Sequence, residues 1–152
     1  MKMILKSMLL FLSLGFVLSC SKTNDNQENT ENSDVSQIEN TVQSGTWRIS
    51  YFYDTDHEET TNFSGYTFTF KTDGNLVATN GNTTVSGTWS ISDNSSSSSS
   101  EEKHFNIFFT APPDFENLSD DWTILSVTNL EIKLTDVSGG NGGTDFLTFE
   151  KI

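Results

Sequence analysis

From Gly45 to Ile152, aromatic and β-branched residues recur at every second position, and Gly, Asn and Asp interrupt them at short intervals. A period of two sends alternate side chains to opposite faces of an extended chain, so this stretch must form strands with one buried face. Trp47, Ile49, Tyr51 and Tyr53 alternate with Arg48, Ser50, Phe52 and Asp54, which predicts a first strand with one aromatic face and Phe52 on the other. A long polar loop, DTDHEETTNFSG, follows. Tyr66, Phe68 and Phe70 mark a second strand, and Asp73-Gly74 turns the chain, since Gly accepts a positive φ without a Cβ clash. Leu76 and Ala78 mark a third strand. Asn80-Gly81 supplies another hairpin, and Val85, Gly87, Trp89 and Ile91 then line one face of a fourth.

Six consecutive serines lie in a stretch, 93–102, that has no apolar residue and reads as a low-complexity loop. Phe105, Ile107 and Phe109 form the fifth strand, with Phe108 facing the other way, and Pro112-Pro113 ends it by removing backbone donors. After the loop DFENLSDD, Trp122 and Ile124 begin a sixth strand, and Leu130, Ile132 and Leu134 line a seventh. A glycine-rich loop, GGNGG, leads into the eighth at Phe146 to Phe149. No segment carries a helical period of useful length. The fold expected for 45–152 is therefore all-β: an eight-stranded antiparallel up-and-down barrel, in which closure removes exposed strand edges. A two-sheet sandwich is the alternative.

Short motifs give this region a family resemblance: Gly45-Thr46-Trp47, Phe68-Thr69-Phe70 before Asp73-Gly74, Gly87-Thr88-Trp89, Trp122-Thr123-Ile124, Leu130-Glu131-Ile132 and Phe149-Glu150-Lys151. Together they resemble the small lipocalin-like domains of bacterial lipoproteins, especially those of Bacteroidetes. The resemblance implies a lipocalin-like barrel whose Gly-x-Trp, here ending at Trp47, opens the first strand and closes the barrel floor.

The N-terminus bears on address. Lys2 and Lys6 precede an apolar run, and small Ser19 stands directly before Cys20. The run is shorter than the ~20 residues of a membrane-spanning helix. It resembles a bacterial lipoprotein signal, which implies a signal helix at 1–19 that is removed, and a Cys20 that becomes the first mature residue. In that family the cysteine carries a diacylglycerol on sulfur and a further acyl chain on nitrogen, enough for stable anchoring. Between Cys20 and the strands, 20–44 is almost wholly polar, with Val35, Ile38 and Val42 as its aliphatics. Such a stretch reads as a disordered tether. The address expected is the cell outer membrane, with either face possible.

Cys20 is also the sole cysteine, so no internal disulfide can form. The whole chain has a formal charge of −13. Removing Lys2 and Lys6 with the signal leaves six basic against 21 acidic residues, or −15. This excess repels phosphate backbones, so no nucleic acid is expected as a partner.

Chemistry-bearing groups are sparse. His57 and His104, the two histidines, lie far apart in the pattern and lack triad or metal spacing. Asp54, Asp56, Glu58 and Glu59, and again Asp114, Glu116, Asp120 and Asp121, are carboxylate groups of a kind that ligate calcium. Neither has the spacing of a calcium loop, and both read as solvated loop residues. GGNGGTD precedes a strand, where a phosphate cradle would open a helix. No enzyme, metal site or cofactor is expected.

The interior of an eight-stranded barrel is just wide enough for side chains or one small ligand. The first functional expectation is a carrier of a small apolar or amphipathic ligand, with Tyr51, Tyr53, Tyr66 and Trp89 as candidate contacts near a mouth. The alternative is a self-filled barrel that docks another envelope protein or glycan through its surface, with Phe52 and Phe108 turned outward.

Overall fold

The computed structural model describes residues 30–94, 102–137 and 142–152. Residues 1–29, which include the expected signal helix, Cys20 and the first part of the expected tether, and residues 95–101 and 138–141 lie outside the described residues. Within them, nine strands run in the order β1 (Trp47–Asp54), β2 (His57–Glu58), β3 (Thr67–Phe70), β4 (Asn75–Thr79), β5 (Thr84–Asn94), β6 (Glu102–Phe108), β7 (Asp120–Val127), β8 (Glu131–Val137) and β9 (Thr144–Lys151). Each of β3 to β8 pairs antiparallel with the next, and β1 pairs with both β9 and β3. The result is a closed eight-stranded up-and-down barrel, with β2 as a two-residue appendage on β1. The turns fall where Gly was read: Gly74 and Gly81 have φ of 80° and 88°. Asp73 and Asn80 side chains accept backbone N–H groups two residues on, at 3.0 and 3.2 Å.

Side chains fill the barrel. Trp47, Phe68, Phe70, Phe105, Trp122, Ile132, Leu147 and Phe149 are fully or nearly fully buried, and Phe70 meets Trp89, Phe105 and Phe149 edge-on at 5.4 Å each. Such T-shaped contacts set the electropositive ring edge against a neighbouring π-face. The three indole N–H groups each reach a backbone carbonyl: Trp47 to Val42 at 2.8 Å, Trp89 to Lys71 at 2.9 Å and Trp122 to Leu118 at 3.0 Å. No polar or charged residue is fully buried among the described residues.

Three features depart from the sequence reading. The coil expected through residue 44 is helical from Thr30, as α1 (Thr30–Gln43). Val35, Ile38 and Val42 recur at the spacing of one helix face; Val42 is completely buried and the other two pack on the core. A stripe this narrow suffices because it lies across one end of a barrel, beside Trp47. Lys103 on β6 reaches Asp34 at 3.1 Å, and Lys151 reaches Ser44 at 2.9 Å.

Second, the loop DTDHEETTNFSG contains β2 and a 3₁₀ turn, Thr60–Phe63, while DFENLSDD opens with a helical turn, α2 (Pro113–Glu116). These loops send Phe63, Phe115 and Leu118 into the end opposite α1. Phe115 is the hub, 5.3 Å from Phe63 and 5.1 Å from both Phe109 and Tyr66, ring centre to ring centre.

Third, β1 does not alternate throughout. Ile49 pairs with Phe149 but Tyr51 pairs with Thr148, so Ser50 is an extra residue, a β-bulge. From there the faces exchange. Phe52, expected outward, is buried against Phe63 and Trp122, and Tyr51 and Tyr53, expected inward, turn to the outside. A similar shift on β7 leaves Leu125 exposed.

Candidate site on the outer face of β1

The barrel's weakest seam lies between β1 and β3, where the ladder is a single pair, Trp47 with Phe68. Beyond it β1 continues while the chain leading into β3 turns away. Above the gap β1 is held to the loop instead: the Phe52 amide donates to the Thr60 hydroxyl at 2.8 Å and the Glu59 amide to the Phe52 carbonyl at 2.9 Å. The gap is an open groove of about 700 Å³, within the usual range of ligand sites, roughly 300 to 1,000 Å³. Ile49 and Phe63, both core residues, form its floor. One wall carries Arg48, Ser50 and Glu150; the other carries Ser64, Gly65, Tyr66 and Thr67.

Arg48 Nη2 donates to Glu150 Oε2 at 2.5 Å, with both side chains about half exposed. The groove thus offers a cation and a carboxylate whose charges cancel, with hydroxyls around them. Tyr66 is half-buried and its ring is fixed edge-on against Phe115.

The candidate ligand contacts separate in the fold. Tyr66 lines the groove. Trp89 is a core residue on β5, packed on Phe70 and Phe105. Tyr51 and Tyr53 stand outside the barrel as a stacked pair, with ring centres 6.4 Å apart and planes within 13° of parallel. Register places Phe146 directly opposite Tyr53. Tyr51 and Phe146 are 39% and 38% exposed, so the bulge creates an aromatic surface that strict alternation would have hidden. Phe108 is also exposed, as expected, on β6.

The carboxylate groups resolve differently from one another. Asp56 and Glu59 flank His57, with Nδ1 against Asp56 and Nε2 2.8 Å from Glu59. These hydrogen bonds, first that to Asp56, raise the His57 pKa above 6.5. His104 lies on β6, with Nδ1 3.0 Å from the Asp121 carbonyl. Asp120 and Asp121 come together with Asp136 of β8, their oxygens within 4.8 Å of one another. Desolvation, then the proximity of Asp121 and Asp136, raises the Asp120 pKa, against a backbone N–H bond from Asp121 that lowers it. Asp136 was not singled out in sequence because it joins the other two only through β7–β8 pairing.

No protein-family model matches the chain, and no curated protein matches it. Among solved structures it is similar to a DUF4847 family protein from Bacteroides vulgatus, at 19% identity and a TM-score of 0.46, covering 74% of this chain and 96% of that one.

Proposed function

We propose that this chain is a non-enzymatic envelope lipoprotein, held at the outer membrane through an acylated Cys20, whose filled barrel is a rigid body that engages an envelope component through its outer face. The filled interior carries this reading. Aromatic rings occupy the barrel, α1 covers one end, and Phe63, Phe115 and Leu118 close the other. A ligand inside would have to displace packed rings, at about 3 to 5 kcal/mol for each phenylalanine lost from such a core. The same observation weighs against the carrier reading, which for a small amphipathic molecule leaves the external groove as the place to bind.

Native mass spectrometry of the chain purified gently from its own host separates the two. A clean apo mass is expected; a small molecule of reproducible mass that survives alanine substitution of the groove and outer-face residues would restore the interior carrier. The anchor has its own test. Cys20→Ala is expected to abolish lipid labelling and release the protein from membranes, and persistent labelling would remove the lipoprotein assignment.

A further inference from the structure

We propose that the outer face of β1 and β9 is a binding site for a neutral oligosaccharide, an inference that rests on the surface-engagement reading above and names its ligand class. Two observations carry it: the groove beside β1, and the aromatic platform that continues from it along the same strands.

Register makes the two contiguous. On β1 the outward residues are Arg48, Ser50, Tyr51 and Tyr53; on β9 they are Glu150, Thr148 and Phe146. The face therefore runs from an ion pair, through two hydroxyls, to stacked aromatic rings, over roughly 15 Å at the usual rise of a strand. That length suits several linked rings better than one.

The chemistry at each end suits a sugar. A pyranose presents an apolar C–H face and an equatorial rim of hydroxyls. The near-parallel Tyr51 and Tyr53 rings offer flat, rigid surfaces for the first at little cost in side-chain entropy. The rim requires donors and acceptors side by side. Arg48 carries five N–H donors in a fixed fork, of which the bond to Glu150 engages one, and the Glu150 carboxylate accepts.

Charge selects against polyanions. The chain is strongly acidic overall, and on this strip the one cation is already matched by Glu150. An acidic polysaccharide or phosphorylated headgroup would meet repulsion with no surplus positive charge to offset it. A neutral glycan needs none.

The test is affinity electrophoresis of the full chain, extracted in mild detergent, through gels containing hydroxyethyl cellulose, soluble starch or yeast mannan, with dextran sulfate as the polyanion. Retardation by at least one neutral polymer and none by dextran sulfate is expected. Tyr51→Ala and Arg48→Ala should each weaken retardation about tenfold or more, with an unchanged far-UV circular dichroism spectrum and melting temperature, while Tyr51→Phe retains it. Failure of every neutral polymer, equal retardation by dextran sulfate, or full retardation of Tyr51→Ala overturns the proposal.

A photo-crosslinker at position 51 in intact envelopes tells this failure from that of the underlying reading. A protein captured there without polysaccharide retardation rejects the saccharide and leaves surface engagement standing. No capture and no retardation, with a small molecule held in native mass spectra, rejects both.

Discussion

Gly87 shows how one atom governs the packing of this barrel. A Cβ built there would meet the Phe108 carbonyl and lie 2.6 Å from Cδ1 of the Phe109 ring. Phe109 is buried beside Phe115 at the loop-closed end, and its backbone is clamped by the Ser119 hydroxyl, which accepts from the Phe109 amide at 2.8 Å. Neither ring nor carbonyl can retreat easily. Gly87→Ala should therefore destabilise the protein by about 1 to 3 kcal/mol, read as a lower urea midpoint at unchanged slope. In sequence, Gly87 was legible as an inward position of the fourth strand. Its need to be Gly was not, because Phe109 lies on another strand and its ring direction is set by the following loop.

At the scale of elements, the bulge in β1 decides what the strand presents. Ser50 adds one residue against β9, and a single-residue shift exchanges the two faces of everything beyond it. Deleting Ser50 would remove the bulge while leaving Ile49, Tyr51 and Phe52 opposite Phe149, Thr148 and Leu147, so plain alternation then keeps Phe52 inward and Tyr51 and Tyr53 outward. The expected change is within about 1 kcal/mol in chemical denaturation, well short of the ~3 to 5 kcal/mol of losing a buried phenylalanine, and the aromatic platform is kept. A loss of about 3 to 5 kcal/mol would mean that the shortened strand slips by one residue and turns Phe52 out, so that pairing with β9 does not fix the faces. This bulge has as its local sign the aromatic run Tyr51-Phe52-Tyr53, which either register could bury. It is imposed by pairing: Phe149 and Thr148 of β9 have to meet Ile49 and Tyr51 for the barrel to close. Helix α1 has the same origin. Val35, Ile38 and Val42 were visible at helical spacing, but the apolar end of the barrel that they cover is assembled from distant strands.

For the whole molecule, acidity is the dominant property, and its effect on stability is sharpest at the β7–β8 edge. Asp120 lies with Asp121 and Asp136, and its raised pKa means that the folded state holds its proton more tightly than the unfolded chain does. The associated stability is fully present below the unfolded value of about 3.9 and is lost as pH rises through the folded value. Asp120→Asn removes that penalty and keeps an oxygen to accept the Asp121 amide, now bonded at 2.8 Å. The variant should melt higher than wild type at pH 7, with the gain vanishing below about pH 4. An equal gain at both pH values would mean that charge repulsion is not its source.

The sequence by itself determined the number of barrel strands, the hairpin glycines, the loop positions and the net charge. Each follows from the period of two, from residues that accept positive φ, or from counting ionisable groups, all of which are local. Tertiary structure decided the rest. It set which face Phe52 and the tyrosines occupy, drew Phe63, Phe115 and Leu118 from polar loops into the core, docked α1, and opened a groove where β3 leaves β1. Those outcomes depend on which strand lies opposite and how much apolar surface the closed barrel leaves at its ends, quantities that exist only once distant segments have met.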